Sequence, residues 1–270
     1  MPPLFCDKDE KKSENGKMAQ KRRRFKTLIL AAGKGTRMGS DLAKVLHQIH
    51  GRPLLDYVID VAKAAGSEEI VVIVGHQAEL VRETFADRQL IFVEQREQMG
   101  TGHAVLQARE AFAGYDGDVL ILCGDVPLLP LGTIERLGDE HAASGAAVSV
   151  LTAEVEIPRG YGRIVKDGNG TLKKIVEERD ATNEERTIRE INSGIYLVTS
   201  PFLFAAVSRI TNHNNQKEYY LTDIIEIANR EGLMVHACLA EDARSVMGIN
   251  TPEELQQAAD YRAVLEGRTG

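Results

Sequence analysis

The chain is 270 residues long and 43% apolar, with a net charge of −7. That length holds one large or two small domains, and that charge argues against a general nucleic-acid surface. No run approaches the ~20 apolar residues of a membrane helix, no apolar signal core opens the chain, and Cys6, Cys123 and Cys238 match neither a metal-ligand spacing nor a disulfide framework, so a reduced, cytoplasmic setting is expected.

Residues 1–24 are polar and charged and end in Lys21-Arg22-Arg23-Arg24. Such a stretch has too little apolar area to offset its ordering entropy, so a tail is expected ahead of one folded domain over 25–270. The basic run reads as a solvated leader rather than as a contact for an anionic partner.

The core opens with Leu28-Ile29-Leu30-Ala31-Ala32, a short apolar run that predicts a buried strand. Gly33-Lys34-Gly35-Thr36 follows, with Arg37 and Lys44 just beyond. Glycines let a ligand approach the backbone N–H groups, because no side chain intervenes. A guanidinium fork and a compact ammonium can neutralise a polyphosphate. A strand, a glycine turn and two cations therefore read as a nucleoside triphosphate site. The same residues also fit a plain, basic strand-to-helix turn. Two familiar phosphate loops are excluded. The loop ends Met38-Gly39-Ser40, without the lysine of a P-loop, and its third glycine comes one position late for the dinucleotide fingerprint. The next strand ends in Gly75-His76-Gln77 rather than in the acidic residue that holds a ribose.

Pro53 then suits a first helical turn. Leu54, Leu55, Val58, Val61, Ala62 and Ala65 recur at helical spacing up to Gly66, a C-terminal cap. Strands are expected at 70–74 and 90–93, with a helix over 78–85 between them. This alternation implies a mainly parallel sheet with helices on both faces. Ligands gather at the carboxyl ends of such strands, where the glycine loop sits.

Gln95 follows the third strand, and Gly100-Thr101-Gly102 opens a helix expected over 104–112, with Thr101 as its N-cap. A helix start offers free N–H donors. Gln95 with the Gly100-Thr101 turn could read a base edge, or could serve only capping and loop polarity. Strand four, 119–123, runs into Gly124-Asp125-Val126-Pro127. Asp125 is a candidate ligand for a hard cation such as Mg²⁺, which takes one or two protein carboxylates plus substrate phosphates. It could equally cap a turn. Cys123 reads as a small apolar residue closing the strand, not as a nucleophile.

Beyond residue 146 the pattern changes. Strands are expected at 147–155, 161–165, 172–177, 188–198 and 233–239, with a turn at Asp167-Gly168-Asn169-Gly170. Helices are expected at 201–210, 222–230 and 252–265. This half supplies antiparallel elements, forming a wall for a second substrate. Its polar candidates are Gly162, Glu177, Asn192 and, after Gly248-Ile249, Asn250.

At this point a family resemblance emerges. LILAAGKGTRMGSDLAKVL resembles the signature of sugar-phosphate nucleotidyltransferases. The ordered segments EQMGTGHAV, GDVPLL, GYGRIV, IVEERDAT, EINSGIY, EYYLTDII and GIN resemble the uridylyltransferase domain of the bacterial bifunctional N-acetylglucosamine-1-phosphate uridylyltransferase/glucosamine-1-phosphate acetyltransferase family. The first motif is shared widely, whereas the ordered set is specific and spans about 25–260. The resemblance implies an α/β fold of the nucleotide-diphospho-sugar transferase kind: a Rossmann-like mixed, mainly parallel sheet with helices on both faces and an antiparallel sugar-binding insertion. It implies that Leu30, Ala31, Ala32, Gly33 and Gly35 contact the nucleotide, that Arg37 and Lys44 contact the triphosphate, and that Gln95, Gly100 and Thr101 read uracil. It further implies that Asp125 and Asn250 hold Mg²⁺ and that Gly162, Glu177 and Asn192 contact N-acetylglucosamine. The implied substrates are UTP and N-acetylglucosamine 1-phosphate, with no nucleic acid or membrane partner. The alternatives are another sugar 1-phosphate, or a non-catalytic nucleotide-sugar sensor. The hexapeptide repeats of the family's acetyltransferase half do not follow in this sequence. Acetyl transfer is therefore not expected of it, and a homo-oligomer or a separate acetyltransferase partner stays open.

Overall fold

The structure, a computed structural model, describes residues 24–267. Cys6, residues 1–23 of the expected tail and most of its basic run lie outside the described residues. Four apolar segments make the parallel heart of one large sheet: β1 (Phe25–Ala31), β4 (Ile70–Val74), β5 (Ile91–Glu94) and β6 (Asp118–Cys123). Their numbering follows chain order, β2 (Gln48–Ile49) and β3 (Arg52–Pro53) being a separate two-stranded hairpin. β1 pairs in parallel on both sides, Leu28 with Val71 of β4 and with Ile121 of β6. All five residues of β4 are buried, as befits a strand covered on both faces.

The second half adds β7 (Val148–Glu154), β8 (Arg163–Lys166), β9 (Leu172–Val176), β10 (Glu190–Thr199) and β11 (Val235–Leu239). The main sheet runs β11-β7-β10-β6-β1-β4-β5, with the β8–β9 hairpin hung on β10. β10 is antiparallel to both β6 and β7. Its beginning, around Asn192, therefore lies at the edge where β6 ends. A bulge between Asn192 and Ile195 shifts the register there. The mixed sheet with an antiparallel insertion matches the expectation.

Apolar cores cover both faces of the sheet. One contains Leu55 and Val58 of α1 (Leu54–Ala64), Val81 of α2 (Ala78–Thr84) and Leu137 of α4 (Leu131–Ser144). The other contains Val105 of α3 (Thr101–Gln107), Leu203 of α5 (Ser200–Val207) and Ile225 of α6 (Ile224–Arg230). A smaller third cluster seats α7 (Pro252–Gly267) by Ala258 against Ile49 and Leu54. No helix of the described residues is long and apolar enough to cross a membrane.

Three details depart from the sequence expectation. α4 was not foreseen, although Ile134, Leu137 and His141 are buried at helical spacing and Gly145 caps the end at φ +64°. The β2–β3 hairpin is too short to show a strand pattern, and turns through His50 and Gly51, both at positive φ. The helix expected over 104–112 ends at Gln107 and tightens into a 3₁₀ turn over Arg109–Phe112.

Candidate active site

The carboxyl edge of the parallel strands gathers almost every residue singled out from the sequence. β1 delivers Leu30 and Ala31, then Ala32 and the glycine turn. Met38 anchors this turn from a buried position beside Ile49 and Leu54. Gly35 holds φ +66°, and a Cβ there would stand 2.7 Å from Lys44 Cβ. The glycine thus lets the stem of the Lys44 side chain pack against the loop. Buried Val45 and Leu46 fix the 3₁₀ turn that begins at Lys44.

Lys44 Nζ ion-pairs with Asp125 and donates to Asn250 Oδ1 at 2.7 Å. Arg37 Nη2 donates to the same Asn250 oxygen at 2.8 Å. Residues from three distant parts of the chain therefore meet at one point. Asn250 is held there by its own contacts: its N–H donates to Glu254 Oε2 at 2.6 Å and its Nδ2 to the Gly248 carbonyl at 2.9 Å. The Ile249 N–H also donates to the Asp125 carbonyl at 3.0 Å.

This cluster flanks a cleft of about 350 Å³. Leu30, Ala31, Ala32, Gly33, Lys44, Gln95, Gly100, Thr101 and Asp125 line it. A smaller cleft of about 160 Å³ adjoins through Cys123 and Asp125 and is lined by Arg37, Asn250, Arg159, Tyr161 and Glu254. Sequence reading passed over Gln98, whose Nε2 donates to the Ala32 carbonyl at 2.7 Å. Glu254, in the first turn of α7, is another such residue: its carboxylate accepts from the Asn250 N–H and orients it, and its own N–H donates to the capping Thr251 hydroxyl. Their signals were local: Gln98 shares its loop with Gln95, and Thr251-x-x-Glu254 is a capping-box spacing.

Thr101 is not the N-cap expected of it. Gly100 takes that position at φ +105°, and the Thr101 hydroxyl instead accepts from the Leu221 N–H at 3.0 Å. The correction has a tertiary cause, since the 219–221 segment crosses the helix start and uses that oxygen.

Cys123 keeps its proton. Burial, then the Asp125 charge, pushes its thiol up to about 12 against the opposing pull of Lys44. Its sulfur donates to the Gly194 carbonyl at 3.5 Å. Tyr161 is likewise pushed up to about 12, first by burial and then by the Glu254 and Asp125 carboxylates.

Gly162, Glu177 and Asn192 form a third group. The Asn192 N–H donates to the Gly162 carbonyl at 3.0 Å. A Cβ on Gly162 would lie 3.5 Å from Glu177 Oε1 and 3.6 Å from Asn192 Cβ. Burial raises the Glu177 carboxyl above its ordinary range; the Thr222 hydroxyl, donating at 3.3 Å, opposes, and Asp180 and Asp223 raise it further. Asp223 itself is pushed up to about 6 from its ordinary 3.8, by burial and then by Glu226. A group whose folded value is raised contributes full stability below its unfolded value and loses it as pH climbs through the folded value. Asp223→Asn is thus expected to raise Tm by a few degrees at about pH 8 and to change it little at about pH 4. Thermal unfolding at the two pH values checks this, and an equal effect at both would refute it.

The arrangement offers anchored cations, hard oxygen donors and a cleft floored by backbone. Comparisons with known proteins bear on what it holds. The MobA-like NTP transferase domain family matches residues 27–223. The "Bifunctional protein GlmU" of Geobacter metallireducens is 51% identical over 235 residues, covering 87% of this chain and 49% of that protein. The protein of the same name from Pelotomaculum thermopropionicum is 49% identical over 242 residues, covering 88% of this chain and 52% of that one. The chain spans about half the length of these curated relatives. A solved structure of UDP-glucose pyrophosphorylase complexed with UDP-glucose superposes with a TM-score of 0.70 at 19% identity, over 89% of this chain and 98% of that one. That likeness supports the same fold.

Proposed function

Because the chain belongs to the MobA-like NTP transferase family, a family of nucleotidyl-transferring enzymes, we propose that it transfers UMP from UTP to N-acetyl-α-D-glucosamine 1-phosphate, releasing pyrophosphate. The observation that carries this reading is the meeting of Lys44, Arg37, Asp125 and Asn250 at the mouth of the glycine-floored cleft. Similarity to the GlmU proteins supports the choice of substrates.

In this reading the uridine lies along Leu30, Ala31, Ala32 and Gly33, its base against Gln95, Gly100 and Thr101. A sugar-phosphate oxygen attacks the α-phosphorus in line, and the bond from that phosphorus to the oxygen bridging toward the β-phosphate breaks. A phosphate dianion already carries the attacking electron pair, so no side chain needs to remove a proton. The protein's work is positioning and charge neutralisation. Lys44 and Arg37 offset the charge that develops on departing pyrophosphate. Gly162, Glu177 and Asn192 hold the sugar.

The residues fit Mg²⁺. Asp125 and Asn250 present one carboxylate and one amide oxygen that converge on a single cation, Lys44 Nζ. That is the sparse set of hard donors Mg²⁺ takes from protein when phosphates and water complete its shell. Among the described residues no cluster of three His, Cys, Asp or Glu side chains offers a denser site. When bound, the ion would act as a Lewis acid on the phosphate oxygens.

Pyrophosphate release tests the proposal directly, with UTP, CTP, ATP, GTP and dTTP each crossed with N-acetylglucosamine 1-phosphate, glucosamine 1-phosphate and glucose 1-phosphate. Release mainly from UTP and the N-acetylated sugar is expected. Release from another pair moves the substrate, and binding without release at any pair refutes the reaction. Glu177→Ala is expected to raise KM for the sugar phosphate by about tenfold, the loss of one buried hydrogen bond, with KM for UTP nearly unchanged. Equal losses for both substrates would count against its sugar role.

A further inference from the structure

Gln95 stands buried just beyond β5, its backbone N–H donating to the Val74 carbonyl at 2.8 Å. Its side-chain Nε2 lies 3.0 Å from the Gly100 carbonyl oxygen and 3.0 Å from His103 Nδ1. A carbonyl oxygen only accepts, so the atom facing Gly100 must be the amide nitrogen. That nitrogen has two N–H groups. One goes to Gly100 and the other points at the imidazole.

Nδ1 of His103 must then present its lone pair. A neutral ring that accepts at Nδ1 carries its proton on Nε2. The Gln107 amide nitrogen is placed 3.0 Å from that second nitrogen and 3.5 Å from the His103 carbonyl oxygen; turned over, the same amide accepts the ring proton with its oxygen and gives up only the longer contact. With both N–H groups engaged, Gln95 Oε1 has no hydrogen bond from any other described residue. It is the atom of the amide left for whatever occupies the cleft that Gln95 lines.

His103 does not line that cleft. Its ring lies behind it, tilted 35° to Tyr219 at 6.3 Å, against a separate apolar pocket with Met99, Leu106 and Ile210. The side-chain hydrogen bond that links it to the lining of the cleft is the one to Gln95.

We infer that His103 is a positioning residue that sets base choice: by accepting at Nδ1 it locks the Gln95 amide with its oxygen toward the ligand. Resting on the proposal that a nucleotide fills this cleft, the arrangement selects a pyrimidine with an N–H at its pairing edge, as uracil has at N3. Cytosine presents a lone pair at N3, which would face the Gln95 oxygen without a proton between them. A site built to pair with an N–H rejects an analogue lacking it, because its own buried acceptor is left unpaired.

The test compares wild type with His103→Leu and His103→Asn. Leucine removes the acceptor, whereas the asparagine oxygen can stand where Nδ1 stood. Affinities for UMP and CMP are measured by titration calorimetry, alongside kcat/KM for UTP and CTP and thermal unfolding as a control for the fold. Wild type is expected to favour UMP strongly, His103→Leu to lose about tenfold of that preference, and His103→Asn to keep most of it. KM for the sugar phosphate is expected to stay unchanged in both variants. An unchanged UMP-to-CMP ratio in His103→Leu overturns the inference. So does an equal weakening of both nucleotides, or a wild type that prefers CMP or binds neither. Wild-type protein that prefers UMP in binding, loses the preference in His103→Leu and yet releases no pyrophosphate would uphold the inference while refuting the proposed reaction.

Discussion

Asp125→Ala is expected to lower kcat by roughly a thousandfold, about 4 kcal/mol of barrier, while leaving the fold intact. The stability cost is held down because Lys44, largely buried, keeps Asn250 Oδ1 as a hydrogen-bond partner at 2.7 Å once its carboxylate partner is gone. In the proposed reaction the catalytic cost is large because Asp125 is the carboxylate that pairs with Lys44 where Arg37 and Asn250 converge. On the proposed Mg²⁺ role, removing it takes away one of the two oxygen donors assigned to the ion, leaving Asn250 Oδ1. It also frees Lys44 to pair with phosphate in the ground state, which tightens UTP without helping the transition state. The signature is thus a fall in kcat with KM for UTP unchanged or lower, together with a higher Mg²⁺ requirement. Steady-state kinetics across a Mg²⁺ titration reads all three. Near-normal turnover at ordinary Mg²⁺ would remove Asp125 from the proposed machinery.

Gly100→Ala is expected to destabilise the protein by about 3 kcal/mol or more and to weaken nucleotide binding at the same time. Gly100 sits at φ +105°, where an L side chain is strained. A Cβ there would also stand 2.6 Å from the Tyr219 oxygen and 2.9 Å from its nitrogen. Those are backbone atoms and cannot swing aside. They are already committed, the Tyr219 N–H donating to the Met99 carbonyl at 2.8 Å and the Gly102 N–H to the Tyr219 carbonyl at 2.7 Å. Relieving the clash breaks this two-bond tie and shifts the carbonyl that holds Gln95. Gly33 provides the contrast. Its added Cβ meets nothing within 4 Å and its φ is not in the left-handed range. Gly33→Ala should therefore unfold close to wild type yet obstruct the floor of the cleft. Denaturant melts and UTP titrations of the two variants separate the cases; an unchanged midpoint for Gly100→Ala would contradict the crowding argument.

The parallel half of the fold was legible because buried strands and amphipathic helices write their periodicity directly into the chain. The 70–74 run is apolar at every position because helices cover both its faces. α1 ends just before Gly66, at positive φ, as expected, whereas Pro53 stands one residue ahead of the helix, closing β3, rather than in its first turn. α4 was missed although its spacing was present, since its polar surface residues dilute the pattern. Thr101 was misassigned as a cap because a hydroxyl at a helix start suits two partners equally, and the crossing of Leu221 decides between them.

Residue chemistry and order along the chain were enough to point to a glycine-floored phosphate site with Lys44, Arg37 and Asp125 at strand ends, because local sequence dictates strands, turns and charge. Periodicity and spacing could not bring Asn250 to Lys44 across 206 positions, nor set Asn192 beside Gly162; the family resemblance alone implied that these residues share sites. Those meetings depend on the antiparallel return of β10 and on the seating of α7, which are settled by packing between distant segments. The orientation of the Gln95 amide belongs with them. An amide's two ends are indistinguishable in a sequence, and only the Gly100 carbonyl and the His103 ring, brought up by the helix start, determine which end faces the cleft.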